Sequence, residues 1–338
     1  MTRVTIANET IYEYENKYVC NDNTGHIFLR CPYRGRFECL LKEYTHHARP
    51  SIAPTHKYQE FRHESIPNNM GTDWIILSCQ GHVIPPLESF PNVAEKMRNA
   101  IMSRIQDPIH QIISGHNSDG TALQKPHLAI IPMANVGWKK YSDGRLLGIA
   151  LVLPTKSKYG TDERTQLRRA IAQFTNTIQS NSQNETLKQN VGLGTLQFGE
   201  NTELKLKKLD DDRRSLDPER YISKSRIWNT VTPIVLDKHP KKNKSAEKII
   251  GESCLNIELP KPESVMISRY SQVTGVPPAF IAKKSSKGWK SPKFGMLDNK
   301  FICHASLIFK DKVHGPLIIG SGRYYGLGLC IAHGSEVP

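Results

Sequence analysis

The chain has 338 residues, room for two ordinary domains at roughly 150 residues each, and a domain of that size buries a real core. Lys and Arg total 46 against 32 Asp and Glu, a formal charge of +14 with a pI near 9.4. That balance points toward a polyanionic partner, because neutralised phosphates release condensed counterions, although a basic protein without such a partner has the same composition. The 7 cysteines (Cys20, Cys31, Cys39, Cys79, Cys254, Cys303 and Cys330) contain no C-x-x-C pair, which excludes a zinc ribbon and suits a reducing compartment. No run approaches about 18 apolar residues and the N-terminus lacks a basic-then-apolar secretion pattern, so a cytoplasmic protein with no membrane partner is expected. Nothing in the pattern calls for a cofactor or a metal.

Residues 1–73 read as an N-terminal extension of irregular structure, with a short strand at His26–Leu29 and a short helix at Phe37–Tyr44. From Trp74 the pattern becomes orderly. Trp74-Ile75-Ile76-Leu77-Ser78 is a continuous apolar run of strand length. After Pro85-Pro86, Val93, Met97, Ala100, Ile101 and Ile105 recur at helical spacing, with Pro91 in the first turn where a missing N–H is harmless. His127–Pro132 and Leu146–Leu153 are the next strands. Thr161-Asp162 caps a helix carrying Leu167, Ile171 and Phe174, and Thr195–Phe198 is a fourth strand. The order β-α-β-β-α-β over 74–200 predicts a ferredoxin-like (RRM-like) unit with both helices on one face of an antiparallel sheet and the other face free for a ligand. Residues 201–225 read as a charged linker. A second, degenerate ferredoxin-like unit is expected over 226–338: a β-rich run at Trp228–Leu236, a helix near 245–254, an extended stretch at Val265–Tyr270, and strands Phe301–Phe309 and Pro316–Ile319 joined by a turn around Lys312. The expected fold class is therefore α+β, tandem ferredoxin-like units ending in a glycine-rich loop.

That loop carries Gly320, Gly322, Gly326 and Gly328. Its G-x-G-x-x-x-G spacing, with no helix or strand to follow, excludes a dinucleotide fold, and no Gly-Lys-Ser/Thr closes a Walker loop. Glycines can bring backbone N–H groups close to phosphate, Arg323 can meet a phosphate or a base edge, and Tyr324 and Tyr325 can stack an unpaired base. Equally, the glycines can serve only the packing of the last hairpin, with the tyrosines in a core.

Six segments occur in a suggestive order. They are Ile84-Pro85-Pro86-Leu87 with its helix through Met102, Ser114–Gly120, His127–Pro132, Asp143–Gly148, Trp228–Pro233 through Lys238-His239-Pro240-Lys241, and His314–Gly328. In this order they resemble the CRISPR-associated RAMP superfamily. More narrowly, the chain from about 74 onward is similar to the repeat-processing (Cas-six-type) endonuclease half of the fused backbone-cap/endonuclease subunit of type I-G (formerly I-U) CRISPR systems. The opening pattern of the backbone-cap module is not seen, so the endonuclease half with a short leader is expected. The resemblance implies a metal-independent endoribonuclease that cuts CRISPR repeat RNA by 2′-OH attack and keeps the product crRNA within a type I effector complex, beside that complex's other subunits. A catalytically silent crRNA-binding scaffold is the alternative.

For the chemistry, histidine suits proton transfer near neutral pH, and a Lys or Arg can stabilise charge on the phosphorane. His116, in a polar loop, and His127, opening the next strand, are the expected catalytic pair. Lys125 lies two residues from His127 and shares its side in an extended segment. His110 is a third candidate. Each of these histidines reads as well as an ordinary loop or strand-end residue. RNA backbone contacts are expected from Lys238, His239, Lys241 and Lys242, from Lys283, Lys284, Lys287, Lys290 and Lys293, and from Arg168 and Arg169 on the second helix. No metal site is expected.

Overall fold

The computed structural model describes strands at 2–6, 9–13, 18–20, 27–30 and 55–60, together with residues 35–53, 69–81, 84–155, 161–175, 192–200, 202–208, 216–241, 243–279, 289 and 300–334. Lys242, Lys283, Lys284, Lys287, Lys290 and Lys293 lie outside the described residues. Two compact units are present, Met1–Glu64 and Ser65–Pro338. In the first, β1 (Thr2–Ile6) and β2 (Glu9–Glu13) pair antiparallel. The strands β3 (Tyr18–Cys20), β4 (Ile27–Arg30) and, after helix α1 (Arg36–Thr45), β5 (Thr55–Glu60) form a sheet in the order β3-β5-β4. The strand and helix expected from sequence are β4 and α1. The other strands of this unit are short and mix polar with apolar residues, so no clean period of two marks them.

The second unit opens with β6 (Met70–Gln80), α2 (Phe90–Met102), the one-turn helix α3 (Gln111–Ser114), β7 (Ala129–Ala134), β8 (Leu146–Pro154), α4 (Thr161–Thr175), β9 (Leu193–Gln197) and β10 (Glu203–Lys208). The sheet runs β7-β8-β6-β10-β9, antiparallel throughout. Counting β6, β7, β8 and β10 as strands 1 to 4 gives the ferredoxin order 2-3-1-4, with β9 added at the edge. The expected fourth strand is thus β9, while the closing strand β10 lies inside the stretch expected as a linker. The signal for β10 is alternation: Leu204 and Leu206 are buried between the less buried Glu203, Lys205 and Lys207. Helix α2 buries Phe90, Val93, Ala94, Met97 and Ile101, and α4 buries Leu167, Ala170, Ile171 and Phe174, each at helical spacing.

The sheet face expected to be free for a ligand is not open at β7 and β8. Strand β7 is buried along its whole length, and β8 at every position but Leu147. The core under them runs on into Val231, Val235, Ile318, Leu329 and Ile331 of the second half.

That second half contains α5 (Glu219–Ile222), β11 (Lys224–Thr230), β12 (Ile234–Val235), α6 (Ala246–Asn256), β13 (Ser264–Ser268), β14 (Ile302–His314) and β15 (Cys330–Ala332). Strand β14 pairs with β13, β11 and β12, and β11 pairs with β15. The sequence β13-β14-β11-β15 repeats the 2-3-1-4 order, so the unit is α+β with two antiparallel ferredoxin-like sheets. Lys312 makes no turn: β14 continues to His314, which pairs with Lys224, and Pro316–Ile319 contributes only the bridge Ile318–Leu329. Trp228 and Phe309, fully buried, anchor this half, each worth about 1.5–3 kcal/mol or more of apolar burial. Where the second crossover helix of a ferredoxin unit belongs, between β14 and β15, stands the glycine-rich segment with one short 3-10 turn at Arg323–Tyr325.

Candidate functional site

The glycine-rich segment is folded on itself. The amides of Ser321, Arg323, Tyr325, Gly326, Leu327 and Gly328 donate to the carbonyls of Val235, Gly320, Gly322, Arg323, Gly322 and Pro233. The glycines are needed for closeness. Gly328 has φ +71° and a Cβ there would sit 1.8 Å from the Ile319 oxygen, while one at Gly326 would meet the Phe90 ring at 2.3 Å. Gly320 abuts the Val235 carbonyl, and Gly322 abuts Leu327. Six amides of this stretch are thus engaged within the fold, and the segment also presents the side chains of Arg323, Tyr324 and Tyr325.

Those side chains meet the histidine loop. Gly326 packs on Phe90 of α2 and Pro132 of β7, which sets Tyr324 and Tyr325 beside the loop that enters β7. Tyr324 stacks on His127 with ring centroids 3.4 Å apart and planes 30° apart, and the Arg323 guanidinium lies 4.6 Å from the Tyr324 ring. Tyr325 lies under the guanidinium of Arg98, 5.4 Å away. An apolar recess beside the stack is lined by Pro126, Ala129, Pro316, Ile318, Arg323 and Tyr324 among others. Sequence reasoning treats the glycine-rich run and the histidines as separate features about 200 residues apart; the fold makes them one site.

His127 is buried, 8% exposed, and lies just before β7 rather than in it. Its Nδ1 is 3.1 Å from the Lys125 carbonyl, so Nδ1 carries the proton and Nε2 does not. Nε2 faces Gly115, where a Cβ would come within 2.8 Å. Burial pushes the His127 pKa down to about 3, against the Lys125 hydrogen bond and helped by Arg98, Arg323 and His116. His127 is thus a neutral, enclosed imidazole at physiological pH. Lys125 is exposed, and its backbone carbonyl is what meets His127.

His116 is exposed. Its Nδ1 donates to the Ser114 carbonyl at 3.0 Å, and its backbone N–H reaches the Ser114 hydroxyl at 3.2 Å, which fixes the ring and leaves Nε2 as the basic nitrogen. His110 is held otherwise: its Nε2 is 2.8 Å from the buried Glu163 carboxylate, and its Nδ1 accepts the Ile112 amide at the start of α3. That arrangement anchors α3.

Arg98 is the residue that sequence reasoning missed. It is 7% exposed on α2. Nη1 donates to the carbonyls of Ile113 at 3.3 Å and Ser114 at 3.0 Å, and Nη2 to that of Leu128 at 3.0 Å. Burial lowers its pKa, with Tyr325 and Tyr324 acting the other way. An arginine among the apolar positions of an amphipathic helix reads as a surface residue, and only its partners distinguish it.

Of the other predicted residues, Lys238, His239 and Lys241 are exposed. They follow Asp237, whose carboxylate accepts the Ser321 hydroxyl at 2.7 Å, so this basic segment leads away from the start of the glycine-rich segment. Arg168 and Arg169 are exposed on α4, one turn beyond Arg164, which pairs with Asp73.

An α+β pair of ferredoxin-like sheets, whose junction gathers two histidines and two arginines, defines a protein with a cationic site built between tandem units. The family comparison names the class more narrowly. Residues 86–332, well over half of the chain, match the model of the CRISPR-associated protein, GSU0054 family, and the chain belongs to that family. No curated protein and no solved structure matches it. Among the described residues, no helix is long and apolar enough to cross a membrane.

Proposed function

We propose that the chain binds CRISPR repeat RNA at the junction of its two sheets and cleaves it without a metal ion. The RNA then remains bound as crRNA within a type I effector complex in the cytoplasm, in the manner of the endonuclease part of the type I-G subunit. The observation that carries this reading is a convergence around His127: the exposed His116, its ring fixed by the Ser114 carbonyl, and the Arg323 guanidinium, held 4.6 Å from the Tyr324 ring that stacks on His127. A guanidinium there lowers the energy of a bound phosphodiester and of the extra negative charge on its phosphorane.

In the proposed reaction His116 Nε2 removes the proton of a 2′-OH, and the oxygen attacks the adjacent phosphorus. The P–O5′ bond breaks, giving a 2′,3′-cyclic phosphate and a 5′-OH that takes up a proton. Arg323 and the exposed Lys125 offer charge to the phosphorane. His127, neutral and enclosed, carries the Tyr324 ring and is assigned the positioning role rather than proton transfer. Lys238, His239, Lys241, Arg168 and Arg169 supply backbone contacts to the RNA, as do Lys242, Lys283, Lys284, Lys287, Lys290 and Lys293.

A silent scaffold is the second reading, favoured by the burial of one of the two histidines, since one exposed imidazole must then serve both proton transfers. Cleavage by the wild type distinguishes the two readings, and His116→Ala tests the assignment of the base. With cognate repeat RNA under single turnover, His116→Ala is expected to cut about 10²–10⁴-fold more slowly while binding unchanged. Binding without any cut by the wild type would establish the scaffold, and full cutting by His116→Ala would remove His116 from the chemistry.

A further inference from the structure

We infer that Arg98 is a positioning residue that locks the His116 turn to the glycine-rich segment, so that His116 and Arg323 address the same phosphodiester. The inference rests on the cleavage reading for its consequence, and on geometry alone for the lock itself.

The Ser114 carbonyl is shared. It accepts Arg98 Nη1 at 3.0 Å and His116 Nδ1 at 3.0 Å, within the two acceptor sites that a carbonyl offers. Arg98 therefore holds the atom that orients His116. The same guanidinium reaches Leu128 beyond the loop, so residues 113 to 128 are closed at both ends by one side chain. Its face is covered by Tyr325, the neighbour of Tyr324 and Arg323. From the other side, the Tyr324 ring rests on His127, whose Nε2 packs against Gly115, the residue between Ser114 and His116. Two contacts thus join the same two segments: guanidinium on Tyr325, and imidazole on Tyr324.

A charge buried to this degree is costly to remove from water, and backbone carbonyls and an aromatic face return part of that cost. A methionine or leucine would fill helix α2 as well, so burial of the helix does not call for an arginine here. Linking the two segments does.

The test compares Arg98→Met, Arg98→Lys and Tyr325→Leu with the wild-type chain, by hydrogen exchange without RNA and by single-turnover cleavage of repeat RNA. Amides of 111–128 and 320–328 are expected to exchange faster together, by about tenfold, in Arg98→Met and in Tyr325→Leu, while those of α6 stay unchanged. The cleavage rate is expected to fall about 10²-fold with little change in RNA affinity, since misplacement of a reacting group costs rate and not binding, and Arg98→Lys is expected to recover part of it. Unchanged exchange in 111–128 when Tyr325 is truncated would overturn the lock, and so would wild-type cleavage by a folded Arg98→Met. Should Arg98→Met not fold, the Tyr325→Leu arm decides between the lock and its absence. A wild-type chain that does not cut is the failure of the proposed function alone, because the exchange arm needs no RNA.

Discussion

His127 and His304 are both buried as neutral imidazoles, and each has a fixed tautomer. His304 Nε2 donates to the Pro277 carbonyl at 3.0 Å and its Nδ1 accepts the Thr230 hydroxyl at 3.0 Å. Burial lowers the His304 pKa from 6.5 to about 4, as it lowers that of His127 from 6.5 to about 3. Both folded-state values lie below the unfolded ones, so the unfolded chain binds more protons and stability falls as pH drops below 6.5. Between pH 6.5 and 4 each group is expected to contribute about 1.4 kcal/mol per pH unit to that loss. Urea midpoints should therefore be level from pH 8 to 7 and fall toward pH 5, with a flatter fall in His304→Gln; a midpoint independent of pH would contradict the neutral, buried assignment. At this scale the sequence exposed the histidines by type and loop position, but not which one is enclosed. His127 looks like any strand-end residue until the rings of Tyr324 and the backbone of Gly115 are set around it. Arg98 was illegible for the opposite reason, since its helix position suggested solvent.

Among the elements, the glycine-rich segment stands where a crossover helix would complete the second ferredoxin-like unit. Its glycines have different duties, and substitution should separate them. Gly328 combines φ +71° with a Cβ position 1.8 Å from a backbone oxygen, whereas Gly334 has φ +86° and nothing within 4 Å. Gly334→Ala is expected to cost only the left-handed penalty of about 1–2 kcal/mol. Gly328→Ala is expected to cost clearly more, because β15 must move away from the Ile319 carbonyl. Equal urea midpoints for the two variants would show that the close approach is not required. Apolar runs made β6 and β8 readable, and apolar residues at helical spacing made α2 and α4 so, since burial on one or both faces dictates their composition. β10 was hidden by its lysines, although the Leu204 and Leu206 alternation was present. The one-turn helix α3 is too short for any period to show, and its stability comes from partners at its ends, His110 with Glu163 and Arg98 with the carbonyls of Ile113 and Ser114.

In the second unit as a whole, the core of the first sheet runs on into residues of the second half, which also has a cluster of its own around Trp228 and Phe309, and residues from α2, α3, the loop before β7 and the segment before β15 converge at the junction. This convergence explains why motif order in the chain was informative while motif proximity was not. Ferredoxin-like order brings strand 2 of the first sheet beside the loop before strand 4 of the second, and only topology says so. In the proposed function, this junction is where repeat RNA is held and cut. The most direct measurement uses the wild-type chain with end-labelled cognate repeat RNA in EDTA, beside the same RNA carrying a single 2′-deoxy nucleotide at the cut position. One cut with a 2′,3′-cyclic phosphate end, abolished by the deoxy substitution, is expected. Cutting that persists on the deoxy RNA, or that appears only when divalent metal is added, would contradict it.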